Sequence, residues 1–202
     1  MTARGTTSAA GLILFHGAGG DRDHPTFLAL EAELDVPVDR INFPYRQKGP
    51  GRRPPDRMPK LIAAVNEAVE AAATRWGVDP GAIVLGGRSM GGRAASMAIA
   101  EGQAAAGLVL LSYPLHPPGK PEKLRVEHLD QVTCPTLLIQ GRRDPFGKPE
   151  EFAEHLPLLA GPLTEHWIDA NHSPSGYDDE IVGWVGAWLA GLGSLGLNAS
   201  SS

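Results

Sequence analysis

Six short apolar runs recur along this chain, at residues 12–15, 38–43, 83–85, 107–111, 136–140 and 163–168. Most of them are nearly continuous in Val, Ile and Leu instead of alternating with polar residues, as expected of strands buried on both faces. Helical apolar spacing fills most of the intervals, over 25–34, 60–76, 94–100, 149–159 and 178–192. Gly77 follows the second of these, where a left-handed residue would end a helix. Strands that alternate with helices in this way build a parallel sheet with helices on both faces. The pattern predicts one α/β domain over 11–193, with a mostly parallel sheet of about six strands and flexible termini at 1–10 and 194–202. Residues 45–59, rich in Pro, Gly and Arg, read as loop. No internal repeat is present.

The third run leads straight into chemistry. Ile83-Val84-Leu85 feeds Gly87-Arg88-Ser89-Met90-Gly91, and an alanine-rich helical segment follows at once. Strand, sharp turn and helix with a serine at the apex is the layout of a nucleophile elbow, G-x-S-x-G. Side chains at Gly87 and Gly91 would collide across so tight a bend. The helix beyond Ser89 also points N–H groups at the place where an oxyanion would form. Glycine-rich turns of this kind can hold phosphates instead. However, no Gly-Lys-Ser/Thr run occurs, and the next strand, 108–111, ends in Ser112-Tyr113-Pro114 without the acid a dinucleotide site needs.

Reacting groups gather beyond the carboxyl ends of strands in open parallel sheets. His16-Gly17-Ala18-Gly19-Gly20 follows the first strand, and Ser89 follows the third. Gly141-Arg142-Arg143-Asp144 follows the fifth, and Asp169-Ala170-Asn171-His172-Ser173 the sixth. Serine, aspartate and histidine therefore come in that order, each in a post-strand loop. On these residues the chain resembles an α/β-hydrolase across nearly its whole length. The resemblance implies a minimal three-layer fold without a lid domain, since no insertion after 107–111 is large enough for one. The chain enters directly at the first-loop strand, so the family's leading antiparallel strands are expected to be missing. More narrowly, Gly86-Gly-Arg-Ser-Met-Gly-Gly-Arg93 and Tyr113-Pro-Leu-His-Pro-Pro118 resemble the dienelactone-hydrolase-like group and its branch of testis-expressed and chromatin-complex proteins. Dienelactone hydrolase itself uses a cysteine nucleophile. Ser89 stands in its place here, so that substrate does not carry over.

The roles follow from the chemistry. A serine hydroxyl needs a base to attack a carbonyl. Ser89 is the expected nucleophile, His172 its base and Asp144 the group that orients the imidazole. A solvated loop histidine and a turn aspartate before Pro145 are the bland alternatives, and Asp169 is a second candidate acid. The backbone N–H groups of Ala18 and Met90 are the expected oxyanion donors. His16 is expected to brace the first loop. Asp21, Asp23 and His24 resemble metal ligands only loosely, and Asp23 is expected to cap the helix that starts near Pro25. Trp167, Trp184 and Trp188 read as packing. No cofactor and no metal are implied.

Composition sets outer bounds. The chain has 202 residues, 42% hydrophobic, and a net charge of −5. That charge argues against a nucleic-acid binder held by bulk electrostatics. The single cysteine, Cys134, rules out an intrachain disulfide framework and reads as a small buried thiol. No apolar stretch is long enough to span a bilayer, and no signal peptide is evident. A cytoplasmic protein with no membrane partner is expected. Arg46, Lys48, Arg52, Arg53 and Arg57 form a basic loop, either merely solvated or an electropositive lip that Arg88 would reinforce. The leading expectation is a serine hydrolase cleaving a small short-acyl carboxylic ester or thioester through an acyl-enzyme on Ser89. A hydrolase-fold interaction module and a peptidase or other amide hydrolase are the alternatives.

Overall fold

The computed structural model describes residues 9–47 and 53–198. Its strands are β1 (Gly11–Phe15), β2 (Val38–Ile41), β3 (Ile83–Arg88), β4 (Gly107–Leu111), β5 (Thr136–Gly141) and β6 (Leu163–Ile168). Its helices are α1 (Pro25–Glu33), α2 (Pro44–Gln47), α3 (Met58–Trp76), α4 (Met90–Ala100), α5 (Pro149–His155) and α6 (Asp178–Asn198). The six strands form one sheet in the order β2-β1-β3-β4-β5-β6, and every pairing is parallel.

Successive side chains of a strand point to opposite faces, so each strand feeds two cores. Ile13, Phe15, Ile83, Leu85, Leu108, Leu110 and Leu138 face the layer that holds α3 and α4. Leu12, Leu14, Val84, Val109, Leu111, Leu137 and Ile139 face α1 and α6, where Trp188 is buried with them. This is why β1, β3, β4 and β5 are nearly continuous in apolar residues: neither of their faces meets water, whereas the edge strands β2 and β6 are partly exposed and carry Asp39, Arg40 and Glu165. At about 25 cal/mol per Å² of apolar surface, each fully buried Leu or Ile stabilises the fold by roughly 1.5–3 kcal/mol.

Several boundaries differ from the sequence expectation. The stretch 45–59 is not all loop. It opens with the single-turn helix α2, and α3 begins at Met58 with Pro59 in its first turn, where a missing N–H costs nothing. Lys48 and Arg52 lie outside the described residues, as do residues 1–8 and 199–202 of the termini expected to be flexible at 1–10 and 194–202. The last helix does not stop at residue 192 but runs on to Asn198. Helix α5 gives way to a tighter 3₁₀ turn at Leu156–Leu158, where Pro157 removes a donor. Gly77 closes α3 at φ +67°, as the sequence requires. Asp23 does not cap α1. His24 holds the cap position without a side-chain bond, and the Asp23 carboxylate pairs with Arg40. Cys134 is only half-buried, and burial pushes its thiol up to about 11. Among the described residues, no helix is long and apolar enough to cross a membrane.

Two features of this topology place the site. The chain crosses from β1 outward to β2 on one side, then returns to build β3 to β6 on the other. The crevice between the β1 and β3 loops is therefore the switch point of the sheet, where open α/β sheets bind their ligands. In addition, the connection between β4 and β5 holds only a short 3₁₀ turn, Leu129–Gln131, and comprises no separate domain.

Candidate active site

Ser89 sits between the last residue of β3 and the first of α4, at φ 53° and ψ −116°. A non-glycine residue rarely adopts this backbone, and neighbouring contacts must hold it there. A backbone bond from Ser89 N–H to Leu111 O, 2.9 Å, ties the turn to the end of β4. The glycines let α4 start close against the sheet. A Cβ at Gly91 would overlap the carbonyl of Phe15 in β1, and one at Gly87 would lie 2.7 Å from Gly92 N. The helix begins at Met90, four residues before the alanine run that marks it in the sequence, so its N-terminus abuts Ser89.

His172 closes the loop after β6. Its Nε2 lies 2.9 Å from Ser89 Oγ and its Nδ1 2.8 Å from Asp144 Oδ2. A carboxylate can only accept, so Nδ1 carries the proton and Nε2 is left to accept from the serine hydroxyl. The Phe146 ring stacks on the imidazole at a centroid distance of 4.0 Å. Asp144 is fully buried. Its Oδ1 accepts from Phe146 N–H at 2.9 Å, and its Oδ2 accepts from Gln140 Nε2 at 2.9 Å as well as from His172. These bonds offset the cost of burying its charge. The other candidate acid, Asp169, is exposed and pairs with Arg143 at 3.0 Å. The Asp144 and His172 loops are laced together through Arg142 N–H to Ile168 O and Arg143 N–H to Ala170 O. The three sequence-predicted side chains thus form one continuous hydrogen-bonded chain. Gln140 and Phe146, which complete it, carry no motif signal, because a Gln ending a strand and a Phe in a turn are unremarkable by themselves.

Opposite Ser89, the loop after β1 is fixed by His16. Phe43 N–H donates to His16 Nε2 at 3.1 Å, so the proton is on Nδ1, which donates to Gly17 O at 2.7 Å. Burial, opposed in part by that carbonyl, holds His16 below its ordinary value. It is the expected brace. The Tyr45 hydroxyl donates to Ala18 O at 3.0 Å and adds a second tie. Ala18 and Met90 face one cavity with Ser89 and His172. Met90 opens α4, so its N–H has no partner within the helix.

The cavity measures about 660 Å³. Its walls are Gly17–Gly20 and His24 from the first loop, Arg88 to Met90 and Arg93 from the elbow, Met58, Pro114, Arg125, Phe146, His172 and Ser173. Of the two readings of the basic loop, solvated surface or an electropositive lip, the described arginines of the loop give no support to the lip. Arg46 pairs with Asp21 at 3.1 Å, and none of Arg46, Arg53 and Arg57 lines the cavity. Arg88 does line it, but its Nη2 donates to His172 O at 2.6 Å and to Ser173 Oγ at 2.8 Å. It fastens the histidine loop to the elbow. Of the three loosely metal-like residues, Asp21 and Asp23 are ion-paired with arginines, and among the described residues no three His, Cys, Asp or Glu side chains converge.

The parallel sheet, the strained serine at its switch point and the ordered Ser-Asp-His loops define an α/β hydrolase. Residues 8–177 match the family model of the alpha/beta hydrolase domain, and the chain belongs to that family. Solved structures of the same fold include an alpha-beta serine hydrolase homologue from Coxiella burnetii, with a TM-score of 0.72 at 19% identity over 90% of this chain and 86% of that one. Est1E from Butyrivibrio proteoclasticus, solved with ferulic acid bound, has a TM-score of 0.75 at 16% identity, covering 91% of this chain and 89% of its own. A monoacylglycerol lipase from Paleococcus ferrophilus has a TM-score of 0.71 at 16% identity, covering 93% and 96%. At these identities the likeness is one of fold.

Proposed function

We propose that this protein is a serine hydrolase that cleaves a small carboxylic ester or thioester through an acyl-enzyme on Ser89. The observation that carries the reading is the unbroken chain of bonds from Asp144 through His172 to Ser89 Oγ, opening onto a cavity. His172 Nε2 takes the proton as Oγ attacks the ester carbonyl. The tetrahedral oxyanion is met by the N–H groups of Ala18 and Met90, supported by the positive end of α4. Asp144 stabilises the imidazolium, which then protonates the departing alkoxide. Water repeats the sequence on the acyl-enzyme and frees Ser89. A scaffold protein has no need of a strained serine or of this bond chain, which favours catalysis over a purely interacting role. The finer placement in the dienelactone-hydrolase-like group and its testis-expressed and chromatin-complex branch belongs to the same proposal. It rests on residues 86–93 and 113–118.

The test is direct. Ser89→Ala lowers kcat for an activated short-chain ester by about 10³-fold or more, roughly 4 kcal/mol of transition-state stabilisation, while the fold survives. A fluorophosphonate probe labels Ser89 and no other serine by mass spectrometry. Labelling elsewhere, or full turnover by the Ala variant, removes the assignment.

A further inference from the structure

The cavity on Ser89 has a lopsided charge. Arg88, Arg93 and Arg125 reach it from three places, and no Asp or Glu lines it. Several arginines elsewhere meet acids: Arg40 pairs with Asp23 and Glu31, Arg46 with Asp21, Arg75 with Asp39 and Arg143 with Asp169. The chain carries 23 Asp and Glu against 18 Lys and Arg, so acids are not scarce. Arg88 is engaged by the histidine loop. Arg93 and Arg125 form no ion pair with any of the described residues, and Arg93 Nε is buried without a hydrogen-bond partner.

The backbones of these two residues are held in place. Arg93 ends the first turn of α4, directly after the elbow, and its carbonyl accepts from Ser96 Oγ at 2.9 Å. The same hydroxyl bonds His128 Nε2 at 2.7 Å. Arg125 is fixed on both sides of its peptide: its N–H donates to Leu115 O at 2.9 Å, and its carbonyl accepts from the Tyr113 hydroxyl at 2.7 Å. The local field is positive. Burial and then Arg93 pull the Arg125 guanidinium below its ordinary value. Burial and then Arg93 also hold His128 down at about 4, against the opposing pull of Glu127 and Asp130. Neither of those carboxylates lines the cavity. Two half-buried guanidiniums that lack a counter-charge beside a reactive serine form a receptor for an anion, which would supply that charge and the missing acceptors.

We propose that Arg93 and Arg125 bind an ionised acid group of the substrate, making the preferred substrate an ester that carries a second, anionic carboxylate-type group. This rests on the hydrolase reading of Ser89. The anion lies beyond the scissile carbonyl, whose own oxygen belongs to the Ala18 and Met90 N–H groups. It sits on the acyl side, as in a monoester of a dicarboxylic acid, or on the departing alcohol.

Two matched substrate pairs separate these cases. Mono-4-nitrophenyl glutarate is compared with 4-nitrophenyl pentanoate, and 4-acetoxybenzoate with its methyl ester. In at least one pair, the anionic member has the higher kcat/KM by tenfold or more. That ratio falls at least fivefold in Arg93→Gln and in Arg125→Gln, is partly kept in Arg93→Lys, and narrows as salt is raised. Thermal melting of each variant shows that it is folded, and the Lys variant retains a readout if a Gln variant is not. A ratio at or below one in both pairs, or a ratio that survives both Gln substitutions, overturns the proposal while leaving the hydrolase reading intact. Calorimetric titration of the Ser89→Ala protein with glutarate is independent of turnover. Binding that is lost when Arg93→Gln is added supports the anion site even if no ester is cleaved, an outcome that would overturn only the hydrolase reading. Absence of glutarate binding together with flat ratios overturns the site itself.

Discussion

Asp144 shows how one side chain depends on its whole surroundings. A buried carboxylate is costly unless paired and fully hydrogen-bonded. Asp144 meets that demand with a backbone N–H, the Gln140 amide and the His172 ring. Asn at this position keeps the shape but not the charge. It cannot stabilise an imidazolium, and its own amide competes for the orientation of the ring. Asp144→Asn should therefore lower kcat by about 10³–10⁴-fold with KM little altered, while the melting temperature shows the protein still folded. Steady-state kinetics with a thermal melt check this. Activity within tenfold of the parent would hand the acid role to another group. Asp169 is poorly placed for it, at 73% side-chain exposure and bound to Arg143.

At the scale of elements, the elbow depends on how closely α4 approaches β1. Gly91 lies in the first turn of α4, where a Cβ would overlap the Phe15 carbonyl and come within 2.8 Å of His16 O. Backbone cannot yield as a flexible side chain can. Gly91→Ala should therefore cost about 3 kcal/mol or more, which lowers the melting temperature by roughly 6–12 °C in a domain of this size. Gly17→Ala is the control. Its Cβ would sit 3.5 Å from Arg88 O, in ordinary contact, and its melting temperature should stay close to the parent's. Equal shifts for both variants would show that close packing at the elbow is not what demands Gly91. The elbow is legible in the sequence because its glycines have this local cause. The four central strands are legible because both their faces are buried, and the triad because loops after parallel strands emerge on one edge of the sheet. Helix α2 is not legible, since a single turn has no periodicity to read. Nor does the sequence reveal the Arg93–Arg125 pair. The segment 112–135 has no regular pattern, and Arg125 is held there by the Tyr113 hydroxyl and the Leu115 carbonyl.

At the scale of the whole molecule, the four central strands are buried on both faces, and the site lies beyond their carboxyl ends. The β4–β5 connection supplies Pro114 and Arg125 to one wall and does not build a separate cover. A cavity of about 660 Å³ holds a small substrate, and a long acyl chain must run past its walls into water. Each methylene that is fully buried contributes about 0.8 kcal/mol, or roughly a fourfold gain in kcat/KM. That gain must stop where the chain leaves the cavity and meets water. In a series of 4-nitrophenyl esters from acetyl to dodecanoyl, kcat/KM should rise over the first few carbons and then level or fall. No jump should accompany the appearance of micelles, because the described residues include no lid domain for an interface to open. Rates that keep climbing to dodecanoyl, or a surge on emulsions, would mean that the chain finds an apolar channel and that the molecule is built for lipid instead of a small, charged ester.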